Sequence, residues 1–390
     1  MSDNGQAVIS IIIPMYNVET YIHQCIKSLL DQTFQDFEMI CVDDGSEDGT
    51  RDAIREYMEA DDRIRLIEQP HCGKAGVLRN IGLGLAKGEY CLFLDSDDYF
   101  EPVLLEHGLE KIQVDHADIC LFNARLYNET TGAYKKMDYV LQKEYFPEQI
   151  PFAGKGFPYI FNITNGCAWT KLFRKSYLDR HPELQFMDLN RSNDLYFVFL
   201  ALLQAEKITI LDEVLVNYRR SADSLQGHND TTPLDWYYAV HALRKKIMEL
   251  GMYSREVELS LKNLVIGIGI YNLRSLKTPG AFKEVYARLK QEIFPEFKLD
   301  EFSKEECYPS NDAKYEIYCR IMELELYEYL FQEIENQRAE KTVWANRAKK
   351  AEKELKSVKK ELKKEKEKES VKNTSGAEKV KSALRRLLKR

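Results

Sequence analysis

The feature that most constrains the fold is the regular alternation of two hydrophobic patterns over the first hundred residues. Short runs rich in Val, Ile and Phe alternate with segments whose apolar residues recur every three or four positions. The first pattern predicts strands buried on both faces, and the second predicts amphipathic helices. The predicted strands are residues 7–13, 37–42, 64–69 and 90–95. Their alternation with helices predicts an α/β fold with a mostly parallel central sheet flanked by helices.

Unusual polar residues follow each predicted strand directly. These segments are PMYN at 14–17, DDGSED at 43–48, QPHCGK at 69–74 and DSDDYF at 95–100. Ligands of parallel sheets bind outside the carboxyl ends of the strands, where all four segments would meet. The sequence therefore predicts a ligand site at this edge of the sheet.

Two common nucleotide-binding loops are missing from the sequence. The turn after the first strand, PMYNVETY at 14–21, has no glycine to admit a pyrophosphate. The glycines of GLGLAKG at 82–88 fall in a helical pattern, which predicts a packing surface and a helix end at Gly88. No G-x-x-x-x-G-K-[ST] loop occurs. A bound nucleotide would therefore need another source of positive charge.

Three acidic residues, Asp95, Asp97 and Asp98, lie at the end of the fourth predicted strand and just after it. Carboxylates two positions apart at a strand end can turn toward one hard cation, and Mg²⁺ or Mn²⁺ shares such oxygen ligands with substrate phosphates. The alternative is a solvated turn in which Asp97 or Asp98 caps the following helix. A second acidic pair, Asp43 and Asp44, at the same predicted edge favours the metal site.

Composition limits the compartment and the partners. The eight cysteines include no C-x-x-C pair and several lie in apolar runs, which indicates reduced, buried thiols and a cytoplasmic protein. The first ten residues lack a secretory signal, and no run of 18 apolar residues occurs to span a membrane. Residues 338–390 carry 20 Lys/Arg and 8 Asp/Glu although the whole chain has a net charge of −7. The body is therefore acidic, which argues against nucleic-acid binding.

Four motifs occur in order along residues 9–100: P-x-Y-N, V-D-D-G-S-x-D-G-T, R-N-x-G and G-E-Y-x-x-F-L-D-S-D-D. With these motifs the chain resembles the inverting, non-processive glycosyltransferases of family 2, which have the GT-A fold and build bacterial surface polysaccharides. The likeness extends more loosely to about residue 225. It implies a GT-A catalytic domain at 1–230, with a nucleotide-sugar half at 1–100 and an acceptor half at 101–230.

The resemblance implies a donor site for a UDP-sugar. The nucleotide-sugar-binding residues would be Pro14, Tyr16, Asn17, Asp43, Asp44, Lys74, Arg79, Asp95 and Ser96. Asp44 would accept a hydrogen bond from the base N–H, which favours uridine, while Asp43 and Ser46 would support that loop. Arg79 would reach the donor phosphates or the sugar. The alternatives are ordinary packing for Tyr16 and an exposed helical position for Arg79.

The resemblance also implies the metal ligands and the catalytic base. Asp97 would ligate Mn²⁺ or Mg²⁺, with Asp95 and His228 as further candidate ligands. Asp194, which precedes a strongly apolar helical pattern, would be the general base, and a carboxylate near a helix N-terminus stays ionised. The alternative for Asp194 is an N-cap. The family often has Glu-Asp at this position, and Asn193 departs from that pattern.

The acceptor-binding residues implied by the resemblance are Trp169, Lys171 and Asn193. Trp169 would form the floor of the acceptor pocket, with a core position as the alternative. Lys171 and Arg174 would help to neutralise phosphate. The segment 217–228 would fold over the diphosphate through Arg219, Ser224 or His228.

These roles imply an inverting transfer in which Asp194 takes the proton of the acceptor hydroxyl. The membrane helices and Q-x-x-R-W motif of polymerising relatives are missing from the sequence, which predicts one sugar per encounter. A nucleotidyltransferase, the enzymatic alternative, would need a glycine-rich basic loop after the first strand. The non-enzymatic alternative is a degenerate GT-A domain that serves binding or assembly.

Helical patterns without assignable chemistry complete the chain. We expect a helical subdomain at 231–336, a charged helix or coiled coil at 337–368, a linker at 369–376 and a basic amphipathic helix at 377–390. Heptad spacing over 344–362 would support a homo-oligomer, with a solvated single helix as the alternative. The basic helix would dock on an anionic membrane surface, unless it is only a solubilising tail. Docking would place the protein on the inner face of the cell membrane, beside a lipid-linked acceptor.

Overall fold

The computed structural model describes residues 7–220 and 229–339, together with six single residues between 341 and 360. Ser224 and His228 therefore lie outside the described residues. So do most of the predicted coiled coil at 344–362 and the whole of the predicted linker and basic helix. What the sequence predicts for these segments stays a prediction.

The described residues contain nine strands in one sheet. The strands are β1 (Ile9–Met15), β2 (Phe37–Asp43), β3 (Ile64–Glu68), β4 (Tyr90–Phe93), β5 (Tyr99–Phe100), β6 (Ile119–Asn128), β7 (Ala133–Lys136), β8 (Lys171–Arg174) and β9 (Ile208–Arg220). Their order across the sheet is β3-β2-β1-β4-β8-β6-β9-β5, and β7 pairs with β6. The four predicted strands are present, and they form a parallel set. Strands β5, β7 and β8 add antiparallel pairs that the alternating pattern does not predict.

The described residues also contain eleven α-helices, some joined by short 3₁₀ or π turns. The helices are α1 (Glu19–Leu30), α2 (Thr50–Ala60), α3 (Ala75–Leu85), α4 (Leu104–Val114), α5 (Lys175–Asp179), α6 (Leu195–Gln204), α7 (Asp235–Glu249), α8 (Arg255–Ser275), α9 (Pro279–Arg288), α10 (Phe294–Glu296) and α11 (Asp312–Glu323). Residues 326–339 are helical as well. None of the helices in this described part of the chain has the length and apolar character needed to cross a membrane.

Strand β1 is buried along its whole length, and its isoleucines form part of the core. Burying one such side chain stabilises a fold by about 1.5–3 kcal/mol. Helix α3 packs closely on this strand through Gly82, where an added Cβ would lie 2.4 Å from Ile12 Cγ2. The packing surface predicted for GLGLAKG is therefore present. The predicted helix end is wrong, because α3 ends at Leu85 with Ala86 as its cap and does not reach Gly88.

The described residues divide into two compact units after Met322. The first unit contains the sheet and, from residue 235, the helices α7 to α10. The predicted domain boundary at residue 230 stays a prediction, since the division between the two units lies after Met322 and does not test it. In the second unit, the helix at 326–339 exposes Tyr327 and Phe331, which are 83% and 64% accessible.

Candidate active site

The polar segments that follow the first four strands meet at one edge of the sheet. In the parallel ladders Met15 pairs with Asp43, and Asp43 pairs with Glu68, so β1, β2 and β3 end at the same level. Just past the end of β4, the Leu94 backbone N–H donates to Ile12 O at 3.0 Å, which extends β4 along β1 to this edge. The predicted common edge is present.

Asp43 is buried and shapes the turn after β2. Its Oδ2 accepts hydrogen bonds from the backbone N–H groups of Gly45 and Ser46, both at 3.0 Å, and its Oδ1 accepts one from the Ser46 hydroxyl at 2.5 Å. Gly45 has φ +73°, a left-handed conformation that glycine adopts without strain. The Ser46 hydroxyl accepts a hydrogen bond from the Asn17 backbone N–H at 3.0 Å. Asp43, Ser46 and Asn17 therefore hold one another in place at the end of β2.

Asp44 binds a different loop. Its carboxylate accepts hydrogen bonds from the backbone N–H groups of Cys72 and Gly73, each at 2.8 Å, and His71 Nδ1 lies 3.0 Å from it. A carboxylate oxygen can accept a second hydrogen bond, so a base N–H would have to share these oxygens with the loop. Uridine recognition by Asp44 stays a prediction. The only signal for His71 in the sequence is its place in the polar segment 69–74, which does not single out one residue.

Tyr16 and His71 form an accessible ring pair beside Asp44. Their ring centroids are 4.3 Å apart and their planes are 25° from parallel. Tyr16 is 42% exposed and the His71 side chain is 50% exposed, so ordinary core packing does not account for Tyr16. A flat, accessible aromatic surface of this kind suits stacking by a nucleobase. Pro14 is instead buried within β1, opposite Val42.

Arg79 of α3 connects the two halves of the site. Its Nη2 donates to Asp95 Oδ1 at 2.5 Å, and its Nη1 donates to the side-chain oxygen of Asn193 at 2.8 Å. Arg79 is 6% exposed, which excludes the alternative of an exposed helical residue. Lys74, just before α3, is partly exposed and lies 2.7 Å from Asp188 Oδ1. The guanidinium therefore fixes the carboxylate that follows β4 relative to the amide of Asn193, two residues before α6.

The segment that carries Asn193 is packed tightly against the first turn of α3. A Cβ added at Gly76 would lie 2.4 Å from the Met187 carbonyl oxygen and 3.0 Å from Asn193 Cβ. The Met187 backbone N–H donates to the Asn193 carbonyl at 2.9 Å. Helix α3 therefore lies between β1, which it contacts through Gly82, and the segment 187–193, which it contacts through Gly76.

The acidic turn, residues 95–98, follows β4. Burial, reinforced by the charge of Asp95, raises the pKa of the Asp97 carboxyl to about 6. Burial also raises the pKa of Asp98 well above its ordinary value, and the charges of Asp97 and Asp95 raise it further. Asp98 Oδ1 accepts a hydrogen bond from the Arg219 backbone N–H at 2.8 Å, while Oδ2 has no partner among the described residues.

Helix capping does not explain this turn. Helix α4 begins at Leu104 with Val103 at the N-cap position, so neither Asp97 nor Asp98 caps it. Ser96 is 6% exposed, and its predicted contact with the donor stays a prediction. Three carboxyl groups are therefore held together without a capping role to account for them.

The acidic turn fits a divalent cation that is shared with a substrate. Within the part of the chain that the structure describes, no cluster of three or more His, Cys, Asp or Glu side chains makes a complete metal site. Mg²⁺ and Mn²⁺ that also bind phosphates need only one or two protein carboxylates. Asp97 offers such a carboxylate, and a cation would offset both its burial and its repulsion by Asp95. His228, the other predicted ligand, lies outside the described residues.

Asp194 immediately precedes α6, but its side chain makes no capping hydrogen bond to that helix. Asp194 therefore occupies the N-cap position of α6, as the alternative predicts, but its carboxylate is not engaged in capping the helix. Burial raises the pKa of Asp194, and the nearby Arg79 guanidinium opposes this shift. A carboxylate with a raised pKa is a stronger base than an exposed one, so its surroundings suit proton abstraction.

The part of the site that the sequence predicts to bind the acceptor contains a stacked aromatic pair. Trp169 lies on Tyr218 with the ring centroids 5.5 Å apart and the planes 3° from parallel. Trp169 is 5% exposed, so most of its surface is already in contact with the protein. This burial supports the core alternative, and the predicted floor of an acceptor pocket stays a prediction. The sequence gives no signal for Tyr218 as its partner.

Lys171 is fully buried beneath the acceptor-side loop. Its ammonium donates to the carbonyl oxygens of Cys167 at 2.7 Å and Asn165 at 3.0 Å, and to the Thr170 hydroxyl at 3.1 Å. Burial lowers the pKa of Lys171 to about 8. Because its donors are occupied within this loop, the predicted contact with the acceptor finds no support in its position.

Arg174 lies at the opposite edge of the sheet. It pairs with Tyr90, the first residue of β4, and its Nε donates to the Ala117 carbonyl at 3.0 Å. Its Nη1 lies 3.2 Å from Glu89. The prediction that Arg174 neutralises phosphate is wrong. The candidate site lies at the other edge of the sheet, where the parallel strands have their carboxyl ends.

The chain is similar in sequence to known glycosyltransferases. A family model described as Glycosyl transferase family 2 matches residues 10–181. The putative glycosyltransferase EpsH of Bacillus subtilis (strain 168) is 32% identical over 295 residues, which cover 72% of this chain and 81% of EpsH. The family match includes the motifs at residues 14–17, 42–50, 79–82 and 88–98.

The fold is similar to that of two solved structures. S. aureus TarS 1–349 in complex with UDP-GlcNAc aligns with a TM-score of 0.56 at 20% identity, and the alignment covers 80% of this chain and 90% of that chain. The mannosyltransferase PcManGT from Pyrobaculum calidifontis, in complex with GDP-Man and Mn²⁺, aligns with a TM-score of 0.52 at 13% identity over 81% and 85% of the two chains. The predicted GT-A fold is confirmed by these alignments.

Proposed function

Because the chain belongs to glycosyltransferase family 2, we propose that it transfers one sugar, with inversion, from a UDP-sugar to a hydroxyl of a glycan or lipid-linked acceptor. The observation that carries the proposal is the bridge of Arg79 between Asp95 and Asn193. This bridge holds the donor-side acidic turn close to Asp194, the residue after Asn193. A donor bound at the acidic turn and a base at Asp194 would thus lie close together, as a transfer reaction requires.

Two features support a UDP-sugar as the donor. The exposed pair of Tyr16 and His71 offers a stacking surface, and the carboxylate of Asp44 lies beside it. A carboxylate accepts hydrogen bonds, and the pairing edge of uracil offers one N–H donor. The TarS structure contains UDP-GlcNAc and the PcManGT structure contains GDP-Man, so the fold alone does not select the base.

In the proposed reaction the Asp194 carboxylate takes the proton of the acceptor hydroxyl. The acceptor oxygen bonds to C1 of the donor sugar while the bond from C1 to the diphosphate oxygen breaks, and UDP leaves with that electron pair. One carboxylate that acts as a base, without a covalent intermediate, inverts the configuration at C1. A positioned general base contributes about 10²–10⁴-fold to such a rate.

The negative charge of the departing UDP must be neutralised. Asp97, with Asp95 as a second candidate, would hold Mn²⁺ or Mg²⁺, and a bound divalent cation stabilises the charge that develops on the leaving diphosphate. Arg79, within α3, and Lys74, the residue before α3, would add positive charge. The PcManGT structure, which contains Mn²⁺ on the same fold, is consistent with this role.

The acceptor is proposed to belong to a cell-surface polysaccharide, in keeping with the family resemblance. Tyr218, which is partly buried and stacks on Trp169, supplies aromatic surface of the kind on which sugar rings pack. Docking on the inner membrane face through 377–390 and assembly through 344–362 would complement this role. Both concern residues that the structure does not describe.

Hydrolysis of sugar nucleotides by the purified protein tests this function. UDP-, GDP-, dTDP- and CMP-sugars would each be offered with Mn²⁺ and then with EDTA, and the nucleotide released would be measured. We expect release of UDP from one donor, loss of this activity in EDTA and a reduction of about a hundredfold in Asp97→Ala. Asp62→Ala, a change at an exposed acid between α2 and β3, is the matched control and should retain the activity.

The outcomes separate the alternatives. If no sugar nucleotide is turned over and UDP does not raise the melting temperature, a binding or assembly module replaces the enzyme. If only a GDP-sugar is hydrolysed, the UDP donor is wrong while the transferase stands. Full activity of Asp97→Ala or of the EDTA-treated protein would remove the metal from the mechanism.

A further inference from the structure

We infer that Arg219 is a positioning residue that holds the acidic turn in the conformation in which Asp97 binds the cation, and that it does not bind the diphosphate. This inference rests on the proposed function of the acidic turn. It assigns to Arg219 a role different from the one that the family resemblance implies for the segment 217–228.

Arg219 contacts two successive residues of the acidic turn. Its backbone N–H donates to Asp98 Oδ1 at 2.8 Å, and its side-chain Nε donates to the Asp97 carbonyl oxygen at 2.7 Å. One contact therefore fixes a side chain and the other fixes the backbone at Asp97 itself. The direction in which the Asp97 carboxylate points follows from that backbone, so it depends on Arg219.

The rest of the guanidinium is engaged away from the acidic turn. Its Nη1 donates to Glu129 Oε1 at 3.2 Å, and its Nη2 donates to Gln24 Oε1 at 2.5 Å. Arg219 therefore joins the acidic turn to α1 and to the end of β6. Each of the three guanidinium nitrogens donates to a protein acceptor, so three of the five N–H groups are already engaged within the protein.

Aromatic rings surround the same guanidinium. Its carbon lies 5.0 Å from the ring centroid of Tyr21 and 5.5 Å from those of Tyr99 and Tyr127. Arg219 is only 5% exposed. Cation–π contacts stabilise an arginine more strongly when it is desolvated, so this enclosure fixes the side chain and keeps solvent from it.

Charge also favours a positioning role. Asp98 has no exposed surface, and its Oδ2 has no hydrogen-bond partner within the described part of the chain, so the nearby positive charge of Arg219 offsets an otherwise costly burial. Loss of that charge would favour a rearrangement that lets Asp98 reach water. Asp97, one position earlier in the same turn, would move with it.

The register of β9 links the two halves of the site through adjacent residues. Successive side chains of a strand point to opposite faces. Tyr218 stacks on Trp169 on the acceptor side, while Arg219 reaches the acidic turn. The end of β9 therefore contacts the proposed metal-binding residues and the acceptor-side aromatic pair at consecutive positions.

Binding of Mn²⁺ to the full chain, measured by isothermal titration with UDP present, tests the inference. Loss of a partner that orients a metal ligand typically weakens metal affinity by about 10–100-fold, which is the effect expected for Arg219→Gln. Arg219→Lys keeps the charge and should retain more of the affinity than Arg219→Gln. The affinity for UDP in EDTA should be unchanged in both variants, because Arg219 does not touch the nucleotide.

Arg125→Gln is the matched control. Arg125 lies on the neighbouring strand β6, with its guanidinium carbon 4.3 Å from the Tyr134 ring centroid and its Nη2 2.7 Å from Glu101. It thus has an ion pair and a ring contact like those of Arg219, but no hydrogen bond to the acidic turn. Its Mn²⁺ affinity should match that of the wild type, and a comparable loss in this variant would indicate a general effect of arginine removal.

Three results would overturn the inference. Unchanged Mn²⁺ affinity in folded Arg219→Gln would show that the acidic turn holds its shape alone. A weaker UDP affinity in EDTA would make Arg219 a diphosphate ligand. Failure of the wild type to bind Mn²⁺ would remove the proposed metal site and this inference with it. If Arg219→Gln does not fold, Arg219→Lys and Glu129→Gln give the same readouts, each with a smaller expected loss of Mn²⁺ affinity.

Discussion

The donor side and the acceptor side of the site are built in different ways. On the donor side, Asp44 binds Cys72 and Gly73, which follow it by 28 and 29 positions along the chain. On the acceptor side, Asn193 is bound by Arg79 across 114 positions. The contacts of Asp44 therefore come from loops at neighbouring strand ends, whereas the contact of Asn193 depends on the packing of distant parts of the chain.

This difference indicates what each side contributes. Loops that are fixed by neighbouring strand ends can bind a nucleotide even when distant parts of the chain change. The base, in contrast, is correctly placed only when the acceptor-side segment packs on α3. Changes on the two sides should therefore have separable effects, one on donor affinity and one on the rate of transfer.

The largest difference between the effect on the rate of transfer and the effect on UDP affinity is expected for Asp194→Asn. The amide cannot take a proton, so kcat for transfer should fall by about 10²–10⁴-fold. UDP affinity should be unchanged, because the donor-side loops do not contact Asp194. Transfer assays and calorimetric titration with UDP measure the two quantities.

The melting temperature supplies a check on Asp194→Asn. Burial disfavours the ionised form of this carboxyl, so the neutral amide should leave the melting temperature equal or raise it at pH 7. Asp179→Asn, at the exposed end of α5, is the control and should keep full activity. If Asp194→Asn lost UDP affinity as well as kcat, the two sides would not contribute separately to donor binding and to the rate of transfer.

For Asp44→Ala we expect a smaller effect, and it should fall on UDP affinity more than on the rate of transfer. The change removes a charged acceptor from two backbone N–H groups, and hydrogen bonds to charged groups each contribute about 1.5–3 kcal/mol. The loop at 71–73 should loosen, and UDP affinity should fall by about tenfold or more. Calorimetric titration with UDP measures this loss.

The rate at saturating donor sharpens the same test. Asp44→Ala should lower kcat less than it lowers UDP affinity, because Arg79 and the acceptor side are untouched. Asp44→Asn keeps one acceptor oxygen and should give an intermediate affinity. Equal UDP affinity in all three proteins would show that the loop at 71–73 is not part of the donor site.

The smallest expected effect is a shift in the pH dependence of kcat for transfer. Because burial raises the pKa of Asp194 in the folded protein, it gains a proton at a higher pH than an ordinary aspartate, whose pKa is about 3.9. The ionised base is present above its pKa and is lost as the pH falls through it. The acid limb of kcat for transfer, measured with saturating donor and Mn²⁺, should therefore lie above that ordinary value. A limb at or below it would contradict the burial of the base.

Much of the donor side could be predicted from the sequence. The first four strands and their common edge follow from local hydrophobic patterns, and Asp43, Asp44 and Asp95 stand directly at strand ends. Such residues are placed by the strand that precedes them, so position in the chain is enough to bring them together.

The acceptor side could be predicted much less well. The ladder between β4 and β8 brings together residues about 80 positions apart, and a local pattern carries no information on that pairing. Residue type alone therefore suggests a phosphate contact for Lys171 and Arg174, while packing buries Lys171 and places Arg174 at the opposite edge of the sheet. Arg219 shows the same limit, since its contacts span 90 to 195 positions.

Two of the three glycines of α3, Gly76 and Gly82, have a consequence for the distance between the substrates in the proposed reaction. Reacting atoms must approach to about 3–3.5 Å, so a small change in the separation of donor and base is costly. That separation includes the thickness of α3, because Gly82 sets its distance from β1 and Gly76 sets its distance from the segment that leads to Asp194. A methyl group at residue 76 would push the segment that leads to Asp194 away from α3. Under the proposed function, the rate of transfer would thus depend on the lack of a side chain at Gly76.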